Sequence, residues 1–276
     1  MENIFNKNGL DIKISDNEEN LITLQTSFSR NKDSLTMFRL YGKNENKEAT
    51  GVCLVIDKKY FNDKSSPPIQ INSISSDDKK LDNKEEQIYN LKRNLFWILY
   101  YNEKENILVF NPDNFKYRHE IIDLNKIMMD EKIKLNSIEY VFYNIFKYAK
   151  KLNTQLNKDI KDKTLKDKIF SNLFENIKYL IKDEAFFEEQ ELRMLITTSY
   201  EDREIKTDND NKRLYINYMK LFDENDNYIN EIILGSKVEN AESMVEYIKK
   251  VLSNKYSKEG VKKKDIKISI SKAPLR

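Results

Sequence analysis

An α+β fold, with a mixed or antiparallel sheet core and a long inserted helical hairpin, is what the order of hydrophobic patterns predicts. Short strand-like runs come first, two 3.6-residue periodicities follow between about residues 136 and 182, and strand-like runs return after Asp183. Strands, then helices, then strands do not alternate as a doubly wound α/β chain would. Residues 1–276 are therefore read as one α+β domain with a helical insertion at about 136–182. Apolar residues at 39% and aromatics at 11% suit a chain that buries a core.

Leu21 to Ser29 reads as a strand, with Thr26 and Phe28 on one face and Ser27 and Ser29 on the other. Asp33 is placed to cap a short helix, Ser34 to Tyr41, that stops at Gly42. Gly51 to Asp57 is an apolar run between turn formers and predicts a buried strand. Ser65-Ser66-Pro67-Pro68 and the charged stretch Ser75 to Glu86 read as loops. Phe96 to Tyr101 and Ile107 to Phe110 flank Asn102-Glu103-Lys104-Glu105-Asn106, a β-hairpin with a polar turn that Pro112 closes.

The helical signal is strongest at Ile138, Val141, Phe142, Ile145, Phe146, Ala149, Leu152, Leu156 and Ile160, all at steps of three and four. A second set runs from Leu165 to Ile181, so two helices, or one broken near Lys163, are expected. The lysines between Lys147 and Lys168 fall on the polar face, where solvation accounts for them. Strands are then predicted at Glu189 to Thr198, Leu214 to Tyr218 and Ile229 to Leu234. Asn240 is expected to cap a helix from Ala241 to Leu252, with Met244, Val245, Ile248 and Leu252 inward, and Asp265 to Ser271 alternates as a last strand.

Composition removes several functions. With one cysteine, Cys53, and one histidine, His119, there is no disulfide framework, no Cys/His zinc site, no Cys-His protease and no c-type haem attachment. A Ser-His-Asp triad would need His119 and a G-x-S-x-G elbow, and the sequence has no such elbow. Acidic pairs such as Asp77-Asp78 and Glu85-Glu86 read as solvated loop charges and not as the Mg²⁺ cluster of a nuclease. The net charge is +2, from 48 Lys and Arg against 46 Asp and Glu, so a globally basic nucleic-acid binder is not indicated. A polar, acidic start, no apolar stretch of membrane-spanning length and a single cysteine predict a cytoplasmic protein with no membrane partner. Forty Lys, 8 Arg and 32 Asn reflect an AT-rich coding bias, so lysine clusters alone are poor markers of binding.

Four constellations can carry chemistry. On one strand, Glu189, Glu191 and Arg193 would project to one face about 6.6 Å apart. One carboxylate can then stabilise a developing cation while the other orients a hydroxyl, or the three can simply pair with each other. Ser27 and Ser29 can hydrogen-bond a ribose or an amide, or stand as polar positions on a half-solvated sheet. Arg39 and Tyr41, before Gly42, can hold a phosphate or carboxylate, or Arg39 can bridge its helix to an acid. Gly235-Ser236-Lys237 is a strand-to-helix junction, either an anion site or a plain turn. Separately, Lys249 to Arg276 carries ten Lys or Arg against two acids, a tail that can contact nucleic acid or an acidic protein. Tyr256 is its one aromatic, too little for base stacking.

Ser27-Phe28-Ser29, the run Asp33 to Gly42, Gly51-Val52-Cys53-Leu54-Val55, Glu189-x-Glu191-x-Arg193, the run Ile233 to Val238 and Ile268-Ser269-Ile270-Ser271-Lys272 occur in that order. Together they resemble a bacterial domain family of unknown function often appended to tetratricopeptide repeats. Phe38 stands where that family commonly has Trp, and Ser236 where it has Pro. The family's first segment, a tyrosine-rich strand with an Asn-Asp-Pro turn, has no counterpart in the roughly 25 residues before Ser27. A serine strand followed by Glu-x-Glu is also similar to ADP-ribosyltransferases. That resemblance implies NAD as cofactor, Glu191 as catalytic acid with Glu189 as its partner, and cofactor contacts from Ser27, Ser29, Arg39 and Tyr41. It implies an intracellular bacterial effector acting in conflict or phage defence.

The alternative is a non-catalytic interaction module that docks a partner through the helical arm or the basic tail. The two readings separate structurally. A catalytic site puts Ser27, Ser29, Glu189 and Glu191 in one concave pocket with Arg39 or Tyr41 at its edge. A module pairs those residues with one another and leaves an apolar patch along the long helices.

Overall fold

The computed structural model describes residues 1–14, 21–44, 46–61, 94–110, 120–129, 137–210, 212–218, 220–222, 227–259 and 265–273. The loops read at Ser65 to Pro68 and Ser75 to Glu86, Pro112, His119 and Lys262 to Lys264 of the basic tail lie outside them. The fold is α+β, with both mixed and antiparallel sheets. The chain packs as two compact units. One draws on Met1–Phe28 and Phe96–Tyr215, the other on Ser29–Ser66 and Ile216–Arg276.

The first unit is built on a four-stranded sheet and a helical hairpin. The four strands of that sheet are β4 (Leu99–Asn102), β5 (Ile107–Phe110), β6 (Glu120–Asp123) and β7 (Ile181–Asp183), in the order β6-β5-β4-β7, and β3 (Phe96–Trp97) precedes β4 but belongs to another sheet. The predicted hairpin is β4 and β5, antiparallel with Tyr100 opposite Val109 and Asn102 opposite Ile107. Its polar turn closes on Asn106, at φ 57, whose buried side chain donates to Asn8 and Asn125 and accepts from the Tyr101 hydroxyl. β7 lies parallel to β4 on the other side.

The two long periodicities become α4 (Ser137–Asp159) and α5 (Lys163–Lys178), separated where Asp162 caps α5 by accepting from the Thr164 and Leu165 amides. Each presents an apolar stripe: Phe142, Phe146 and Ala149 from α4, Phe170 and Phe174 from α5. These stripes pack on Leu108, Phe110 and Ile122 of the sheet, on α3 (Leu124–Met129), and on α1 (Glu2–Lys7). Phe5 of α1 is fully buried against the rings of Phe146 and Phe174, at 5.7 and 4.7 Å between centroids. The helical insertion is thus part of this unit's core.

A second sheet of the same unit has the order β1-β8-β3, with β1 at Leu21–Ser29 and β8 at Glu191–Ser199. The side-chain pairs Thr23 with Thr197 and Ser27 with Glu191 descend along β8 as they ascend β1, so the two strands are antiparallel. The predicted strand Phe96 to Tyr101 is divided at Ile98, whose amide donates to the Glu191 carbonyl. Its first part pairs with β8 and its second with β5. The expected strand Leu214 to Tyr218 shortens to β10 (Leu214–Tyr215), paired with β9 (Lys206–Thr207).

The second unit holds α2 (Leu35–Leu40), β2 (Val52–Ile56), β11 (Ile229–Leu234), α6 (Ala241–Glu259) and β12 (Lys267–Ile270), with sheet order β12-β11-β2. Three expectations are corrected. Ser34, not Asp33, caps α2. Asp33 instead accepts from the Ser271 hydroxyl and the Lys272 amide. Val52 and Leu54 are exposed, because β2 is a sheet edge and only its Cys53 and Val55 face packs on Phe38, Ala49 and Ile233. Met244 is exposed rather than inward. Asn240 sits at φ 50, and its carbonyl accepts from the Met244 amide as α6 begins.

Candidate functional site

Two features of the first unit qualify, a buried charge cluster at the start of β8 and a groove on the helical hairpin. The cluster begins with a correction. Glu189 is not on the strand; it ends a 3₁₀ segment, Glu184–Glu189, and Gln190 turns the backbone through φ 48 before β8 opens at Glu191. The residues still converge. Lys182 on β7 donates to Glu189 at 2.5 Å and to Glu191 at 3.1 Å. Arg193, two residues along β8, grips Glu191 at both oxygens, from Nε to Oε1 at 2.6 Å and from Nη2 to Oε2 at 3.1 Å. Its Nη1 donates to the Tyr179 carbonyl at 2.5 Å. Ser27 donates to Glu191 Oε1 at 2.5 Å from the neighbouring strand.

Glu189 and Glu191 are 3% and 5% exposed. Two carboxylates out of water require two cations close by, and Lys182 and Arg193 supply them, so the four formal charges cancel. Burial by itself would raise the Glu191 carboxyl. The Arg193 and Ser27 hydrogen bonds, with the Arg193 charge and Lys182, outweigh it and hold Glu191 below its ordinary value. Burial likewise works against the Lys182 ammonium, and its bonds to both glutamates raise it overall. The Tyr100 hydroxyl accepts from the Glu191 amide at 2.7 Å, and burial pushes that phenol up to about 12. All these groups are locked by direct contacts, with Lys182 also 4.5 Å over the Phe186 ring.

Of the residues selected from sequence, the structure thus joins Ser27, Glu189 and Glu191. Ser29 ends β1, where its hydroxyl accepts from the Asn31 amide. Arg39 and Tyr41 belong to the second unit, and Arg39 donates to Glu48 at 2.9 Å, the bridging alternative. At the Gly235 junction the amides are already engaged, Gly235 with the Gly51 carbonyl and Lys237 with that of Ala49, which makes it a packed turn. Lys182 and Tyr100 went unselected. Three residues of β7 carry no readable period, and Tyr100 looks in sequence like any other hairpin aromatic.

The groove runs along α4 and α5. It encloses about 640 Å³ and is lined by Tyr140, Val141, Tyr148 and Leu152 of α4 and Leu173 and Ile177 of α5, among others. Tyr148 and Leu173 are 65% and 55% exposed, although the opposite faces of the same helices are core. Among the described residues, Lys151 is the one charged residue lining it. Among the described residues, no helix is long and apolar enough to cross a membrane.

Compared with family models, curated proteins and solved structures, the chain matches none.

Proposed function

We propose that the chain is a protein-interaction module that seats a helical segment of a partner protein in the groove between α4 and α5. The groove itself carries this reading: mostly apolar side chains line four turns of α4, Tyr140 to Gln155, and one of α5, and Tyr140, Val141, Tyr148 and Leu173 among them are in water. Exposed apolar surface of this extent, continuous along a helix pair, is the usual mark of a docking face. Four turns span about 22 Å, the length of a helix of about 15 residues, and an amphipathic helix lays its apolar stripe into such a groove. The charge cluster fits the same reading. Glu191 is already neutralised by Arg193 and Lys182, so little of its charge remains for a reacting centre.

The test is fluorescence anisotropy with a labelled 15-residue designed helix carrying leucine at i, i+3, i+4 and i+7. Leu173→Asp and Tyr148→Asp should each weaken binding at least tenfold while the circular dichroism stays unchanged. Binding indifferent to both substitutions would refute the groove as the docking site.

One observation favours a second reading, an ADP-ribosyltransferase-type effector using NAD: the Ser27 hydroxyl bonds Glu191 across adjacent strands. On that reading Glu191 stabilises the oxocarbenium-like state as nicotinamide leaves, with Glu189 as its partner. Calorimetry with NAD⁺ decides it. Saturable binding, with nicotinamide release that Glu191→Gln abolishes, would establish the transferase; no binding up to millimolar NAD⁺ would end it.

A further inference from the structure

We infer that the partner helix is acidic on its polar flanks, an inference that rests on the groove reading above. Ser137 to Lys178 holds nine lysines against five carboxylates. Two of the five are buried, Glu139 and Glu175, and Glu175 is paired with Lys178 at 2.8 Å. The surface of the hairpin is therefore more basic than its sequence. The lysines are also placed. Lys151 lines the groove, and Lys147 and Lys158 follow at i−4 and i+7, so the three share one flank of α4. Among the described residues, no carboxylate lines the groove. A helix with leucines inward and glutamates outward would bury its apolar stripe and bring its charges to these lysines.

The same distribution argues against the other occupants. A second copy would bring an equally basic hairpin against this one, and like charges across an interface oppose association. The Lys249 to Arg276 segment of the chain itself, with ten basic residues and two acids, has the wrong sign as well.

Two designed 15-residue helices with one leucine pattern, one flanked by glutamates and one by lysines, test this by anisotropy on the intact protein. The glutamate helix should bind at least tenfold tighter. The preference should collapse when salt rises from about 0.1 M to about 1 M, which shortens the screening length from about 10 Å to about 3 Å. The double substitution Lys147→Glu/Lys151→Glu should reverse it, and both lysines are exposed, so the fold should tolerate the change. Equal binding of the two helices, or tighter binding of the lysine helix, overturns the acidic partner and leaves the groove standing. Failure of both helices to bind removes the groove reading itself. A concentration-dependent dimer that Leu173→Asp abolishes in sedimentation makes the occupant a second copy and overturns the inference.

Discussion

Replacing Arg193 by methionine leaves Glu191 buried with Lys182 and Ser27 but without its two-point guanidinium partner. Removing one member of a buried ion pair typically costs about 3–5 kcal/mol, because the remaining charge stays out of water. Here Lys182 persists as a second cation, which brings the expected loss to about 2–3 kcal/mol. Glu191→Gln should cost a similar amount, since Lys182 and Arg193 would then share one carboxylate, Glu189. The double substitution restores the balance of one acid and one base and should be no worse than either single change, a coupling of about 2 kcal/mol. The one tryptophan, Trp97 of β3, is paired opposite Leu192 on β8, so its fluorescence in urea reports the opening of this sheet. Additive losses, or losses under about 1 kcal/mol, would refute a structural network. A Glu191→Gln variant more stable than wild type would do so more sharply, because strain relieved by removing an acid is the mark of a catalytic site.

Three other predictions follow from the packing. Glu231 is buried under Lys267 and Lys32, whose hydrogen bonds pull its carboxyl down to about 2. A depressed carboxyl stabilises the fold above its unfolded value near 4.5 and loses that contribution as pH falls towards 2. Both lysines are exposed, so screening reduces the effect to about 1–2 kcal/mol, and Glu231→Gln should flatten the acid limb of stability against pH by that much. Gly235→Ala would drive a Cβ into the Ala49 carbonyl oxygen, far inside van der Waals contact. Backbone cannot yield there cheaply, and a loss of at least about 2 kcal/mol is expected in thermal melts; a neutral variant would show that the junction is loose. Phe5→Ala should cost about 3–5 kcal/mol, since Phe5 fills the space between α4 and α5, and a loss below about 1 kcal/mol would detach α1 from the core.

What was readable in the sequence was periodicity. Helices α4 and α5 follow directly from the spacing of their apolar residues, because each buries a regular stripe, whereas the β4–β5 hairpin and β11, buried on both faces, follow from short apolar runs bounded by turn formers. What was not readable is which face meets a neighbour. The run Val52 to Ile56 is apolar on both faces, and only its edge position leaves Val52 and Leu54 in water. The same periodicity that located α4 could not separate its core stripe, Phe142 and Phe146, from the adjacent Val141 and Tyr148 of the groove. At the charge cluster the residue types were legible and the partners were not. Glu191 and Arg193 sit two apart on one strand, whereas Lys182 arrives from β7 and Ser27 from β1, 164 residues away in sequence. Asp33 shows the same limit: as a helix cap it is a local inference, and its real partners, Ser271 and Lys272, lie at the other end of the chain.

Hydrogen exchange on the intact protein, alone, with the glutamate-flanked helix and with NAD⁺, tests the central claim most directly. The account predicts added protection from the helix at Tyr140 to Gln155 and at Leu173 to Ile177, and none from NAD⁺ at Ser27 or Glu191. Protection of the β1 and β8 peptides by NAD⁺, with the α4 and α5 peptides unchanged by the helix, would contradict it.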